Sequence, residues 1–287
     1  MTVATLAYPV GEPRAWDEFE SKVRELARRA HERGAKFWVL PEYFSMELAA
    51  LFDRPVRASL SRQLEAVQGV LPEFRKLFAD LARTHEATLV AGTFPVAVRP
   101  GEFRNRSYVY HPDGSEDFQD KLLMTRFENE LWKVSPGDAL RVFRAEWGAF
   151  GVSICYESEF PLPVRRQAEA GALVLAVPSC TDSRAGDNRV RIGCRARAME
   201  NQFFVARSPL VGRAEWSPAI DENTGAASVY TPVDRKFPDD GVAATGGDEE
   251  PGWVFADLDL DRVEWIRQRG MVFNYADWPK QAHAVAD

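Results

Sequence analysis

Short runs that are apolar at nearly every position most constrain this chain. Residues 37–40 (Phe-Trp-Val-Leu), 172–178 and 203–206 (Phe-Phe-Val-Ala) are each the length of one strand and leave no polar face for water. Between them lie stretches with helical periodicity. Trp16, Phe19, Val23, Leu26, Ala27 and Ala30 recur at spacings of three and four, which predicts an amphipathic helix ending near Gly34. Leu60, Leu64 and Val67 predict a second helix, and a third starts at Pro72 and carries Phe74, Leu77, Phe78 and Leu81. Strands apolar on both faces must be covered on both faces, so the fold class is α/β or α+β with helix-covered sheets. Periodicity leaves the topology open.

Further strands are expected at 3–8, 87–98, 107–110, 141–144, 151–154 and 253–258, and further helices at 163–170 and 188–201. Residues 212–252, rich in Gly and Pro with an acidic run at 246–250, read as a long surface loop. No linker divides the chain convincingly, and its length allows two domains or one large one.

Composition removes several function classes. With 43 acidic and 36 basic side chains among 287 residues, the net charge of −7 argues against a nucleic-acid partner. No apolar run approaches the roughly 20 residues needed to span a bilayer, and the first residues do not resemble a secretory signal. A cytoplasmic protein with no membrane partner is the expectation. Three cysteines, Cys155, Cys180 and Cys194, cannot form a disulfide framework and fit a reducing compartment. Four scattered histidines offer no convincing metal site. Gly-x-Ser-x-Gly, the phosphate-binding Gly-Lys-Ser/Thr loop and Gly-x-Gly-x-x-Gly are all absent, which removes the common serine-hydrolase, nucleotidase and dinucleotide readings.

One cysteine stands in a chemically suggestive place. Cys155 ends an apolar strand just before a helix-compatible segment. A sharp strand-to-helix turn there exposes the sulfur and surrounds it with backbone N–H groups, which can activate a thiol and bind an oxyanion. By itself this position fits a buried inert cysteine equally well. No histidine stands in a telling context, so a base of another kind is needed. Glu42 and Lys121 each border an apolar run, where a charge is costly unless paired.

The ordered set Pro41-Glu42, Lys121 and Ile154-Cys155-Tyr156-Glu-x-x-Phe160-Pro161 resembles the Glu-Lys-Cys triad of the nitrilase (carbon–nitrogen hydrolase) superfamily. Supporting stretches are Ser135-Pro-Gly-Asp138, Arg195-Ala-Arg-Ala-Met-Glu-Asn201 and Thr224-Gly-Ala-Ala-Ser-Val-Tyr-Thr-Pro232. The resemblance extends to about residue 270. It implies a single-domain α-β-β-α sandwich over residues 1–275 that assembles as a homodimer or higher homo-oligomer, with a tail at 276–287. It also implies a cofactor-free, metal-free amidase acting on a small amide, with nitrilase or N-carbamoyl amide hydrolase as alternatives and a noncatalytic partner-binding relative as a third reading. Cys-Tyr-Glu lies closer to the amidase-like branches than to the Cys-Trp-Glu of nitrilases, although Asp120 replaces the Arg that often precedes the catalytic lysine.

By this resemblance Glu42 is general base, Cys155 nucleophile, and Lys121 with the Tyr156 N–H the oxyanion donors. A second glutamate follows the lysine. Counting forward from Lys121 gives Glu128; counting backward from Pro136-Gly137 gives Glu130, the choice preferred for an amidase-type Ser-Pro-Gly-Asp. Ser179, Trp132, Phe44 and Arg184 are candidate pocket residues; core packing fits Trp132 and Phe44 equally well, and for Arg184 a structural salt bridge is favoured over a substrate carboxylate.

Overall fold

The apolar runs do become buried strands. In the computed structural model, which describes residues 1–283, the first half of the chain supplies β1 (Thr2–Pro9), β2 (Phe37–Val39), β3 (Thr88–Val90), β4 (Phe94–Arg99), β5 (Glu102–Tyr110) and β6 (Glu116–Asp120). Among them lie helices α1 (Trp16–Glu32), α2 (Arg54–Arg57), α3 (Leu60–Val67) and α4 (Leu71–His85). The second half adds β7 (Val142–Ala145), β8 (Gly148–Val152), β9 (Val174–Ser179) and β10 (Phe204–Arg213). Short strands β11 (Glu222–Asn223), β12 (Ser228–Tyr230) and β13 (Val242–Thr245) precede β14 (Gly252–Asp257). The later helices are α5 (Pro161–Glu169), α6 (Arg184–Asn201), α7 (Leu260–Arg269) and α8 (Asn274–Asp277).

These strands form two sheets that meet along one edge. The first runs β4-β5-β3-β2-β1, with β6 beside β5 and β14 antiparallel to β1. The second runs β10-β9-β8-β7, with β12 and β13 on the far side of β10. Direct backbone pairing between them consists of Tyr8 and Pro9 of β1 with Leu210 and Val211 of β10. Elsewhere they face each other through side chains: Phe37 of β2 lies 4.9 Å, ring to ring, from both Trp147 and Phe150. Alternation along β1 explains the layering, because Val3 joins the core between the sheets while Ala4, Leu6 and Tyr8 pack under α1 and α4. Helices α5 and α6 cover the outer face of the second sheet through Val164, Ala168, Val190 and Ala198. The result is the α-β-β-α sandwich. No helix among the described residues is long and apolar enough to cross a membrane.

Two expectations need correction. The strand anticipated at 87–98 breaks into β3 and β4 at Ala91-Gly92-Thr93, because Gly92 adopts φ +57° and packs against the turn that follows β2. The surface loop anticipated at 212–252 contains β12, whose Ser228, Val229 and Tyr230 are buried and extend the second sheet. Its small and β-branched residues pair with β10, a long-range partner that local composition does not reveal. A Cβ at Gly92 would meet the Pro41 carbonyl oxygen at 2.1 Å and the Phe44 ring at 2.6 Å, so strain and overpacking coincide. Gly92→Ala is expected to cost about 2–5 kcal/mol by urea denaturation. Gly101→Ala, also at positive φ but in open space, should cost about 1–2 kcal/mol.

Candidate active site

Glu42 leaves the carboxyl end of β2 on a tightly held turn. Leu40 N–H donates to Val90 O at 2.9 Å, and Tyr43 then takes a left-handed conformation, φ 54°. Thr93 fixes that conformation: its Oγ1 accepts from Tyr43 N–H at 2.8 Å, and its own N–H donates to Pro41 O at 3.3 Å. The interrupted β3–β4 segment therefore serves to position Glu42.

Lys121 follows β6, where its N–H donates to Asn105 O at 2.9 Å and its carbonyl accepts from Gly137 N–H at 2.7 Å. Its side chain is buried, and Nζ lies 2.7 Å from both Glu42 Oε1 and Glu128 Oε2. Further donors satisfy the carboxylates. Asn105 Nδ2 donates to Glu42 Oε1 at 2.9 Å, and Cys180 N–H to Glu42 Oε2 at 3.1 Å. Tyr43 Oη donates to Glu128 Oε1 at 2.7 Å, while Thr125 N–H and Oγ1 both donate to Oε2 at 2.9 Å.

The two glutamates consequently differ. Burial pushes the Glu42 carboxyl up, and Lys121 only partly opposes it. Burial acts on Glu128 as well, but Lys121 and the donors from Thr125 and Tyr43 outweigh it and hold that carboxyl below its usual value. Lys121 is held well above the ordinary ammonium range, because the attraction of Glu128 and Glu42 outweighs desolvation. The two carboxyls flanking the same ammonium are thus shifted in opposite directions.

Cys155 stands where β8 runs into a tight helical turn, with φ 50° and Sγ 3.5 Å from Cys180 O. A β-carbon at positive φ is unfavourable, and such strain persists only where neighbours enforce it. Burial pushes the thiol well above its usual value; the Glu42 charge adds to this and Lys121 opposes it. The resting sulfur therefore keeps its proton. Burial also raises the Glu157 carboxyl to about 7, against three backbone N–H groups that favour the anion.

Glu42, Lys121, Glu128 and Cys155 open into one cavity of about 320 Å³, walled also by Trp132 and Tyr156. Four sequence expectations, at Glu130, Phe44, Arg184 and Ser179, differ in placement, none of them lining the cavity. Glu130 is exposed and pairs with Arg126, whereas Glu128 reaches Lys121: residues two apart on the turn Glu128–Trp132 face nearly opposite ways. Phe44 is in the core against Tyr8, Phe74 and Phe78, not in the cavity wall. Arg184 lies on a separate shallow hollow beside Arg213, while the arginines at the cavity mouth are Arg126 and Arg189. Ser179 sits beneath the site, its Oγ donating to Ser208 O at 3.2 Å. Asn105, Tyr43, Thr125 and Cys180 were missed; Tyr43 and Thr125 at least adjoin the motif segments, while Asn105 carries no local signal.

A family model described as carbon-nitrogen hydrolase matches residues 2–268. A probable hydrolase of Bacillus subtilis, YhcX, is 29% identical over 96% of this chain, which spans about half (53%) of that relative's length. The omega-amidase NIT2-B of Xenopus laevis is 27% identical, over 87% of this chain and 86% of its own. Among solved structures, Saccharomyces cerevisiae Nit3, a nitrilase-superfamily member, superposes with a TM-score of 0.74 at 23% identity, covering 93% of each chain. An amidase of Nesterenkonia sp. AN1, shown with acrylamide added at its active-site cysteine, superposes at 0.69 with 21% identity, covering 98% of this chain and 99% of its own.

Glu128→Ala is expected to destabilise the protein by about 3–5 kcal/mol in urea denaturation, because it leaves a buried ammonium with one partner removed. Glu130→Ala, which removes an exposed pair, should change stability by less than about 1 kcal/mol.

Proposed function

Because this chain belongs to the carbon–nitrogen hydrolase family, we propose that it hydrolyses the C–N bond of a small carboxamide to acid and ammonia through a Cys155 thioester. The observation that carries this reading is the convergence of the Cys155 thiol on a strained turn, the Glu42 carboxyl and the buried Lys121 side chain on one cavity. Full-length similarity to an omega-amidase supports amide chemistry. The cavity volume favours a small substrate.

The proposed sequence follows from the geometry. Glu42 accepts the thiol proton as Cys155 Sγ attacks the amide carbon, and the carbonyl electrons move onto oxygen. Among the described residues, two of the three Lys121 N–H donors are taken by Glu42 and Glu128, which leaves the third for that oxyanion. The Tyr156 N–H lies in the first turn after Cys155, where helical N–H groups have no acceptor behind them, and serves as the second donor. Such a donor is typically worth about 10²–10³ in rate. Collapse breaks the C–N bond, Glu42 returns its proton to the leaving nitrogen, and ammonia departs. Water, deprotonated by Glu42, then attacks the thioester; the C–S bond breaks and the thiol recovers its proton. Glu128 keeps Lys121 charged and oriented. A nucleophile that must stay reduced suits the cytoplasm.

Cys155→Ala should abolish ammonia release while leaving the melting temperature close to wild type; retained turnover would end the assignment. In a screen of carboxamides, ureido acids and nitriles, carboxamides should be turned over. Hydrolysis of nitriles alone would make the protein a nitrilase, and alkylation of Cys155 without any turnover would favour a noncatalytic binder. The raised Glu42 carboxyl also fixes the acid limb of kcat/KM. Activity must fall as pH drops through that group's value, so the limb should lie above 4.5 rather than at an ordinary carboxylate position.

A further inference from the structure

Lys121 and Cys155 come from different sheets, and among the described residues the backbones of those sheets pair directly only at the β1–β10 edge. The spacing between oxyanion donor and nucleophile therefore needs a separate restraint. Glu157 is buried and absent from the cavity wall, so it does not meet a substrate there. Its Oε1 accepts from Leu122 N–H at 2.6 Å and from Leu123 N–H at 3.4 Å. Its Oε2 accepts from Ile154 N–H at 2.6 Å. Leu122 is the residue after Lys121, and Ile154 the residue before Cys155. We propose that Glu157 is a positioning residue whose carboxylate clamps the Lys121 segment to the Cys155 turn and so sets the distance between oxyanion donor and nucleophile.

The residue type follows from the donor pattern. Two N–H groups approach opposite oxygens, so both side-chain termini must accept. A glutamine would present one N–H₂ to a backbone N–H, leaving a buried donor unmade and the clamp open on one side. An aspartate keeps both acceptors but is one methylene short. The clamp also accounts for the left-handed Cys155, since the bond to Ile154 N–H pins the residue preceding it. The remaining cross-sheet bond at the site, Cys180 N–H to Glu42, restrains the base rather than the lysine segment.

This inference rests on the hydrolase reading, and its test separates the two. Glu157→Gln and Glu157→Asp would be compared with wild type by amide hydrogen exchange of peptides containing residues 121–123 and 153–155. Ammonia-release kinetics and iodoacetamide labelling of Cys155 would be measured in parallel. Glu157→Gln should lose exchange protection in both segments and drop kcat about 100-fold. KM should stay within about threefold, and labelling should persist because Glu42 still faces the thiol. Glu157→Asp should recover kcat to within about tenfold of wild type, a rescue that a purely structural role would not track. Unchanged exchange in both segments, or kcat within about threefold of wild type in a folded Glu157→Gln, would overturn the clamp. If Glu157→Gln does not fold, Glu157→Asp decides alone. Its missing methylene should raise exchange in both segments and lower kcat about three- to tenfold. Wild-type exchange with kcat within about threefold would overturn the proposal. A wild-type protein that releases no ammonia would refute the hydrolase reading instead, with the exchange comparison still judging the clamp.

Discussion

The site depends on a buried ammonium held between two buried carboxylates. Taking charges out of water costs several kcal/mol per ion, repaid only when geometry is close and the remaining lone pairs are satisfied. Lys121 meets the first condition with two contacts of 2.7 Å. Asn105, Tyr43, Thr125 and the Cys180 N–H meet the second. Each of these donors comes from a different stretch of chain, so the charge cluster ties together β5, the turns after β2, β6 and β9, and the helical turn carrying Glu128.

The sandwich makes that convergence possible. Parallel strands β2, β8 and β9 deliver Glu42, Cys155 and Cys180 from their carboxyl ends, where connections leave the sheet and side chains can gather. Two of the delivering turns carry a positive φ at a residue with a side chain, Tyr43 and Cys155. Thr93, 50 residues along the chain, braces the first, and Glu157, in the same turn as Cys155, braces the second. Rigidity at the site thus comes from hydrogen bonds to backbone across elements, which keeps the side chains free for chemistry.

Legibility varied with the range of the interaction. Glu42, Lys121 and Cys155 were readable because each ends or borders an apolar run, and their order matches a known triad. The choice between Glu128 and Glu130 was not, since both lie near the right distance in sequence and the rotation of one short turn selects between them. Phe44 shows the same limit: it lies two residues from Glu42, yet the left-handed Tyr43 turns the chain so that its ring enters the α1–α4 core. Arg184 is the first residue of α6 yet lines the separate hollow with Arg213, a placement that depends on how α6 meets β9. Glu157 was visible within the cysteine motif, but its cross-sheet partner Leu122 is 35 residues away.

By itself the sequence determined the α/β class, the burial of the strands, the family and the three central residues, because hydrophobic period and motif order are local properties of the chain. The tertiary structure decided which glutamate pairs with Lys121, which arginines border the cavity, and that β12 belongs to the second sheet. Those outcomes depend on rotations of single turns and on contacts between distant segments. Burial made them decisive, since a charge or an N–H removed from water must find its partner wherever the fold has placed one.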